Sequence, residues 1–156
     1  MTKSVNIHAT CVRFGGDGVL LIGKSGSGKS DLALRLIGRG ATLVSDDRCD
    51  VSVERNRLIA RTPRTIAGLL EVRGIGIVIL PYAPRAAIAL VAELSGRVER
   101  LPELPRYAPP KPLALRQSAQ PHLIALNPFE ASAVDKVIVA LGLLGRAATR
   151  APVKRN

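Results

Sequence analysis

Apolar and polar residues alternate through residues 5–12, Val-Asn-Ile-His-Ala-Thr-Cys-Val, which predicts a β-strand. Gly15-Gly16-Asp17-Gly18 reads as a tight turn, and Val19-Leu20-Leu21-Ile22 as a buried strand, so a hairpin is expected. The period then changes. From Lys29 to Gly38 the apolar residues fall at helical spacing, and Gly40 fits the stop signal of that helix. Residues 41–45 return to strand character and end in Asp46-Asp47. Residues 51–54 and 58–60, joined through Arg55-Asn56-Arg57, predict a second hairpin. A short helix is expected at 65–70, a glycine-interrupted apolar segment at 72–80, and a strand at 86–94. Six of the eleven prolines lie in residues 101–121, which predicts a long irregular connection or a flexible arm. A last strand at 122–126 and a helix at 130–144 complete the pattern, with no internal repeat.

The first strand-to-helix junction carries the strongest chemical signal. Residues 23–30 are Gly23-Lys24-Ser25-Gly26-Ser27-Gly28-Lys29-Ser30, the phosphate-loop form G-x-x-x-x-G-K-[ST]. Glycines let successive backbone N–H groups turn inward around phosphate oxygens, and the following helix adds its positive dipole end. In such a loop the lysine, here Lys29, reaches the β- and γ-phosphates, and the hydroxyl of Ser30 ligates Mg²⁺. The alternative is a Gly/Ser-rich turn with no ligand.

Composition narrows the class. The chain has 156 residues, enough for one domain with its own core, and 47% of them are apolar, which argues against disorder. No apolar run reaches membrane-spanning length. The N-terminus lacks the apolar core of a signal peptide, so a cytoplasmic protein is expected. Cys11 and Cys49 have no metal-ligand spacing, and there are only two histidines, which makes zinc a poor fit. The net charge of +11 points to an anionic partner such as a nucleotide, a nucleic acid or an acidic protein face. With aromatics at 3%, base stacking along a nucleic acid strand is disfavoured. Part of the charge is local: the last eleven residues hold Arg146, Arg150, Lys154 and Arg155 and no acid. The expected organisation is a domain over 1–145 and a basic, solvated tail over 146–156.

Four further features bear on what receives a phosphoryl group. Asp46-Asp47 ends a strand expected beside the phosphate-loop strand, where a carboxylate would hold Mg²⁺ or take a proton; a turn or cap pair is the bland alternative. Glu71 and Arg73, two apart in Glu71-Val-Arg-Gly-Ile-Gly-Ile77, would share a face if extended, as metal ligand and phosphate clamp or as a surface ion pair. His8 stands in the first strand as a structural or a catalytic residue. Arg97, Arg100 and Arg106, at the edge of the proline-rich stretch, are candidates for an arginine finger or simply solvated.

Taken in order, Ile7-His8-Ala9, the loop 23–30, Gly40-Ala-Thr-Leu-Val-Ser-Asp-Asp47 and Leu70-Glu-Val-Arg-Gly-Ile-Gly-Ile77 resemble the catalytic domain of HPr kinase/phosphorylase. That enzyme phosphorylates a serine of the phosphocarrier protein HPr. The resemblance runs from His8 to about Leu80. It implies an α/β P-loop nucleotide-binding domain with a mixed β-sheet, of the HPr kinase/PEP carboxykinase-like type. It also implies ATP and Mg²⁺ as cofactors, HPr as partner, and a hexamer. By the same resemblance His8 and Lys29 align with catalytic residues, and Asp47 with the acid that accepts the serine proton and returns it in the reverse reaction, with Asp46 as the alternative. Ser30 and Glu71 align with Mg²⁺ ligands. Residues 70–77, including Arg73, correspond to a segment used in both directions, and Arg100 is the best match to a catalytic arginine. The chain departs from the pattern in three ways. It reads as a short form without the family's N-terminal domain; His-Gly becomes His8-Ala9; and residues 117–128 replace a basic Arg/Gly segment tied to dephosphorylation. The expected activity is therefore an HPr serine kinase, with phosphorylase activity less supported. The rivals are a small-molecule kinase and a non-enzymatic nucleotide-sensing or nucleic-acid-binding module.

Overall fold

In a computed structural model, which describes residues 3–145, the turn at Gly15-Gly16 folds β2 (Ala9–Phe14) back onto β3 (Asp17–Ile22) with Ala9 opposite Ile22. The tail expected at 146–156 lies outside the described residues. The predicted first strand is two strands. β1 (Val5–Ile7) pairs with β5 (Cys49–Glu54), and the chain bends at His8 before β2 joins β3. The bend moves the chain from one part of the sheet to another, which alternation within 5–12 does not encode.

Helix α1 runs over Lys29–Gly38, as its apolar spacing predicts. Gly40, at φ 107°, reverses the chain after it and leads into β4 (Thr42–Ser45). β4 does not lie beside the phosphate-loop strand: it pairs with β2, which separates it from β3. Because β2 is antiparallel to both, β3 and β4 point the same way, and the acids after β4 still emerge at the edge where the loop emerges. β5 and β6 (Arg57–Arg61) form the second hairpin, turning on Arg55 and Asn56, both in the left-handed region at φ 49° and 62°.

The helix expected at 65–70 is only a 3-10 turn at Arg64–Ile66. Gly68, at φ 76°, ends it, and Leu69 already belongs to the next strand. β7 (Leu69–Val72) and β8 (Gly76–Ile79) then make a separate two-stranded sheet. β9 (Arg85–Leu94) is the centre of the main sheet, whose order is β1-β5-β6-β9-β3-β2-β4. β10 (His122–Leu126) runs parallel to β9 and pairs with residues 90–94, while β6 pairs with residues 85–87.

The proline-rich stretch is irregular but pinned. Leu123 N donates to Pro105 O at 2.8 Å, Tyr107 N donates to Pro121 O at 2.8 Å, and Leu113 is buried. It is a covering strap, not a free arm. Helix α2 (Ala133–Leu144) starts three residues later than expected, after the turn that begins at Asn127.

Two cores follow from strand alternation. Val19 and Leu21 face a cluster with Leu32 and Leu36 of α1 and Val137 of α2, whereas Leu20 faces one with Val51, Leu58 and Val91. Full burial of each leucine contributes about 1.5–3 kcal/mol. A bulge where β3 meets β9 leaves Ala89 unpaired, so Ala89 and Leu90 both join the helix-side cluster. Gly18 is required at that bulge, since a Cβ there would stand 2.8 Å from the Ala87 carbonyl oxygen. No helix of the described residues is long and apolar enough to cross a membrane.

Candidate functional site

The connection from β3 to α1 is the Gly-rich loop 23–28. Its glycines Gly23, Gly26 and Gly28 have φ of 155°, 81° and 98°, values that side chains rarely tolerate. A Cβ on Gly23 would also meet Ser27 Oγ at 2.7 Å. Lys29 folds back over the loop, and its Nζ donates to the carbonyls of Gly23 (2.7 Å) and Lys24 (2.9 Å). Burial pushes the Lys29 ammonium below its ordinary pKa, and the charges of Asp47 and Asp46 partly oppose that. The first helical bond is Leu32 N to Gly28 O at 2.9 Å. The N–H groups of Lys29, Ser30 and Asp31 therefore belong to the turn that a helix leaves without intrahelical partners.

The two acids after β4 are held in different ways. Asp46 is buried, and both its carboxylate oxygens are engaged. Oδ1 accepts from Thr10 Oγ1 (3.0 Å) and Ser30 Oγ (2.7 Å), and Oδ2 from Glu71 N (3.2 Å). Asp46 thus ties β2, α1 and β7 to one point. Asp47 follows in the left-handed region, at φ 68°, which turns its side chain away from that of Asp46 and into the cleft. Its side chain is 64% exposed, and its Oδ1 accepts from His8 Nε2 at 2.5 Å. Two backbone bonds fix the turn: Asp47 N donates to Thr10 Oγ1 (3.1 Å), and Ala9 N donates to Asp47 O (3.1 Å).

His8, Lys29, Ser30 and Asp47 line one cleft of about 410 Å³, together with Ser25, Gly26, Gly28, Asp31, Leu34, Glu71, Val72, Arg73 and Phe129. The structure thus brings together His8, Lys29, Ser30, Asp47, Glu71 and Arg73, with Asp46 as the buried tie beneath them. His8 reaches the cleft because Ala9 pairs with Ile22, immediately before the loop. Arg100 is not brought there. It is exposed in the segment after β9, beside a different cavity lined by Arg97, Glu99 and Leu101. Arg106 lines a third cavity with Arg116 and His122. The chain leaves β9 at the same sheet edge as β3, but residues within 97–105 line a separate cavity.

Two residues of this region escape sequence reasoning. Thr10 is fully buried in an apolar strand and bonds to both acids. Its signal was a lone hydroxyl two residues after His8. Phe129 lines the cleft beside the loop, and nothing near it in the sequence points there.

The donor set suits a hard cation. The Ser30 hydroxyl and the carboxylates of Asp47 and Glu71 are oxygen donors lining one cleft, which fits Mg²⁺. Among the described residues no group of three or more His, Cys, Asp or Glu side chains is placed to hold an ion by itself.

Comparison with known proteins places the chain. Residues 1–82 match the family model described as HPr Serine kinase C-terminal domain, a stretch that includes every cleft residue named above except Phe129. The chain is 44% identical over 78 residues to the HPr kinase/phosphorylase of Clostridium beijerinckii, which covers 50% of this chain and 26% of that protein. It is 44% identical over 79 residues to that of Lactobacillus acidophilus, covering 50% and 24%. The match thus spans about a quarter of the length of these relatives. A solved structure of the Hpr(Ser) kinase/phosphatase from Coxiella burnetii shares the fold, with a TM-score of 0.70, 24% identity, and coverage of 88% of this chain and 95% of that one. On the family-model match, the chain belongs to the HPr serine kinase C-terminal domain family.

Proposed function

We propose that this protein is an ATP- and Mg²⁺-dependent serine kinase whose acceptor is the phosphocarrier protein HPr. The observation that carries the reading is the exposed carboxylate of Asp47. It is held by His8 in the same cleft as Lys29, Ser30 and Glu71. A phosphate loop alone binds a nucleotide; a fixed, solvent-facing carboxylate opposite it supplies the group that an acceptor hydroxyl needs.

The geometry supports these roles. Loop N–H groups and the Lys29 ammonium hold the phosphates and offset charge on the transferred group. Ser30 and Glu71 would hold the metal ion, which when bound neutralises phosphate charge. Arg73 lines the same cleft and would clamp phosphate. The acceptor serine gives its proton to Asp47 Oδ as its oxygen bonds to the γ-phosphorus and the bond to the ADP oxygen breaks. His8 orients the carboxylate through the 2.5 Å bond. Asp46 is less suited to take that proton, because both of its oxygens already accept hydrogen bonds. It is better fitted to position Ser30. In the reverse direction the protonated Asp47 would return its proton to the serine oxygen, which is the basis of any phosphorylase activity.

The test is ATP turnover with and without purified HPr, with phosphoserine on HPr read by mass spectrometry. HPr-dependent ADP release with stoichiometric phosphoserine is expected. ATP bound but not turned over with HPr present would instead favour a nucleotide sensor. Turnover that a small hydroxyl compound stimulates and HPr does not would favour a small-molecule kinase.

A further inference from the structure

Phe129 is one of only four Phe, Tyr and Trp residues in the chain, and it is 76% exposed. Its position is not that of a stray surface residue. A Cβ built on Gly28 would stand 3.5 Å from its Cε1 and 3.6 Å from its Cζ, so the ring lies along the phosphate loop. The loop that carries it is braced. Phe129 N donates to Asn127 Oδ1 (3.0 Å), and Arg35 of α1 donates to the Pro128 carbonyl and to Asp31 Oδ2 (3.1 Å). An exposed aromatic ring on a fixed loop is a preformed stacking surface.

Topology says what it faces. β3, β9 and β10 are consecutive parallel strands that end together: Ile22 pairs with Glu93, and Leu126 with Leu94. In open parallel sheets ligands lie outside the carboxyl ends of the strands. The loop after β3 carries the phosphate motif, and the loop after β10 carries Phe129, so both border one ligand volume, with Leu34 as a further apolar lining residue. A phosphate loop fixes one end of a nucleotide, and the other end is a flat, apolar-faced ring.

We propose that Phe129 is the base platform of this cleft: the nucleobase stacks on its ring while the phosphates occupy residues 23–30. The proposal rests on the nucleotide-binding part of the reading above. Stacking tolerates any base, because each has a π-face, so the platform confers affinity for nucleotides over bare polyphosphate without choosing among bases.

The test is calorimetric titration of the wild type, F129A and F129W with Mg-ATP and with inorganic tripolyphosphate, which has no base. Circular dichroism checks that each variant is folded. F129A should weaken ATP binding by about 5-fold to 150-fold, the range of a lost base–aromatic stack. It should leave tripolyphosphate binding unchanged, and F129W should retain ATP affinity. Unchanged ATP affinity in folded F129A would overturn the proposal, as would equal losses for both ligands. A raised KM for HPr with ATP affinity intact would assign the ring to acceptor docking instead and overturn it too. If the wild type bound neither ligand, the nucleotide reading itself would fail, an outcome distinct from the others.

Discussion

Replacing Thr10 by valine keeps the side-chain shape and removes one hydroxyl. That hydroxyl donates to Asp46 Oδ1 at 3.0 Å and accepts from Asp47 N at 3.1 Å, in a residue with no solvent exposure. The two losses are unequal. Asp46 keeps Ser30 Oγ and Glu71 N as donors, so its carboxylate stays partnered. The Asp47 N–H loses the one side-chain acceptor that fixes its left-handed turn. This N–H is only partly buried, so losing its partner costs about 0.5–1.5 kcal/mol, the net worth of a typical hydrogen bond. In a domain of this size each kcal/mol lowers Tm by roughly 2–4 °C. The Thr10→Val variant should therefore melt about 1–6 °C below wild type, and the Asp47 amide should exchange with deuterium faster. Thr10→Ser restores the hydroxyl and should recover most of both effects. Because the Asp47 carboxylate rides on this turn, kcat should fall in Thr10→Val with little change in ATP affinity. The assays are thermal denaturation, amide exchange by NMR, and steady-state kinetics on the three proteins. Equal melting of Thr10→Val and wild type, or failure of Thr10→Ser to rescue, would refute the assigned role of the hydroxyl.

Three other outcomes follow from the same geometry. Glu71→Gln should shift the Mg²⁺ titration of kinase activity to higher concentration while ATP binding without metal changes little, since an amide oxygen is a weaker ligand than a carboxylate; an unchanged titration would return Glu71 to a surface role. Hydrogen bonds from Arg61, then from Ser52, with Arg85 nearby, bring the Glu54 carboxyl down to about 2 from an ordinary 4.5. Its folded pKa is the lower one, so its stabilisation is complete above about 4.5 and is lost as pH falls toward about 2; Glu54→Gln should flatten that acid limb of the stability curve, and an identical limb in the variant would contradict the pairing. Cys11 and Cys49 are buried, and desolvation raises both thiols, Cys49 to about 12. Both should resist iodoacetamide in the native protein and react once it is unfolded, and rapid native labelling would contradict their burial.

What the sequence discloses here is local. The loop 23–30, the strand before it and the helix after it each follow from spacing within a few residues, and the structure has all three. The β5–β6 hairpin was legible because its turn residues name the turn. What spacing cannot reach is pairing between distant segments. β4 was expected beside β3, yet β2 lies between them, and only the shared direction of β3 and β4 keeps Asp46 and Asp47 at the loop. The break at His8 arises because β1 pairs with β5, more than forty positions along. The different surroundings of Asp46 and Asp47 depend on one left-handed residue and on Thr10 from another strand, so side-by-side acids look alike in sequence and differ in space. The 101–121 stretch read correctly as irregular, but only its bonds to β10 show it to be a strap.

The central claim is that Asp47 takes the proton of an acceptor serine while Asp46 holds the site in shape. The most direct measurement is single-turnover phosphorylation of HPr by wild type, Asp47→Asn and Asp46→Asn, with ATP affinity and melting temperature determined on the same samples. The account predicts that Asp47→Asn keeps the fold and ATP binding and loses about 10²–10⁴-fold in the chemical step. It predicts that Asp46→Asn shows its defect first in stability and in metal dependence, because the amide cannot accept all three of the bonds from Thr10, Ser30 and Glu71. A folded Asp47→Asn that phosphorylates HPr at the wild-type rate would contradict it.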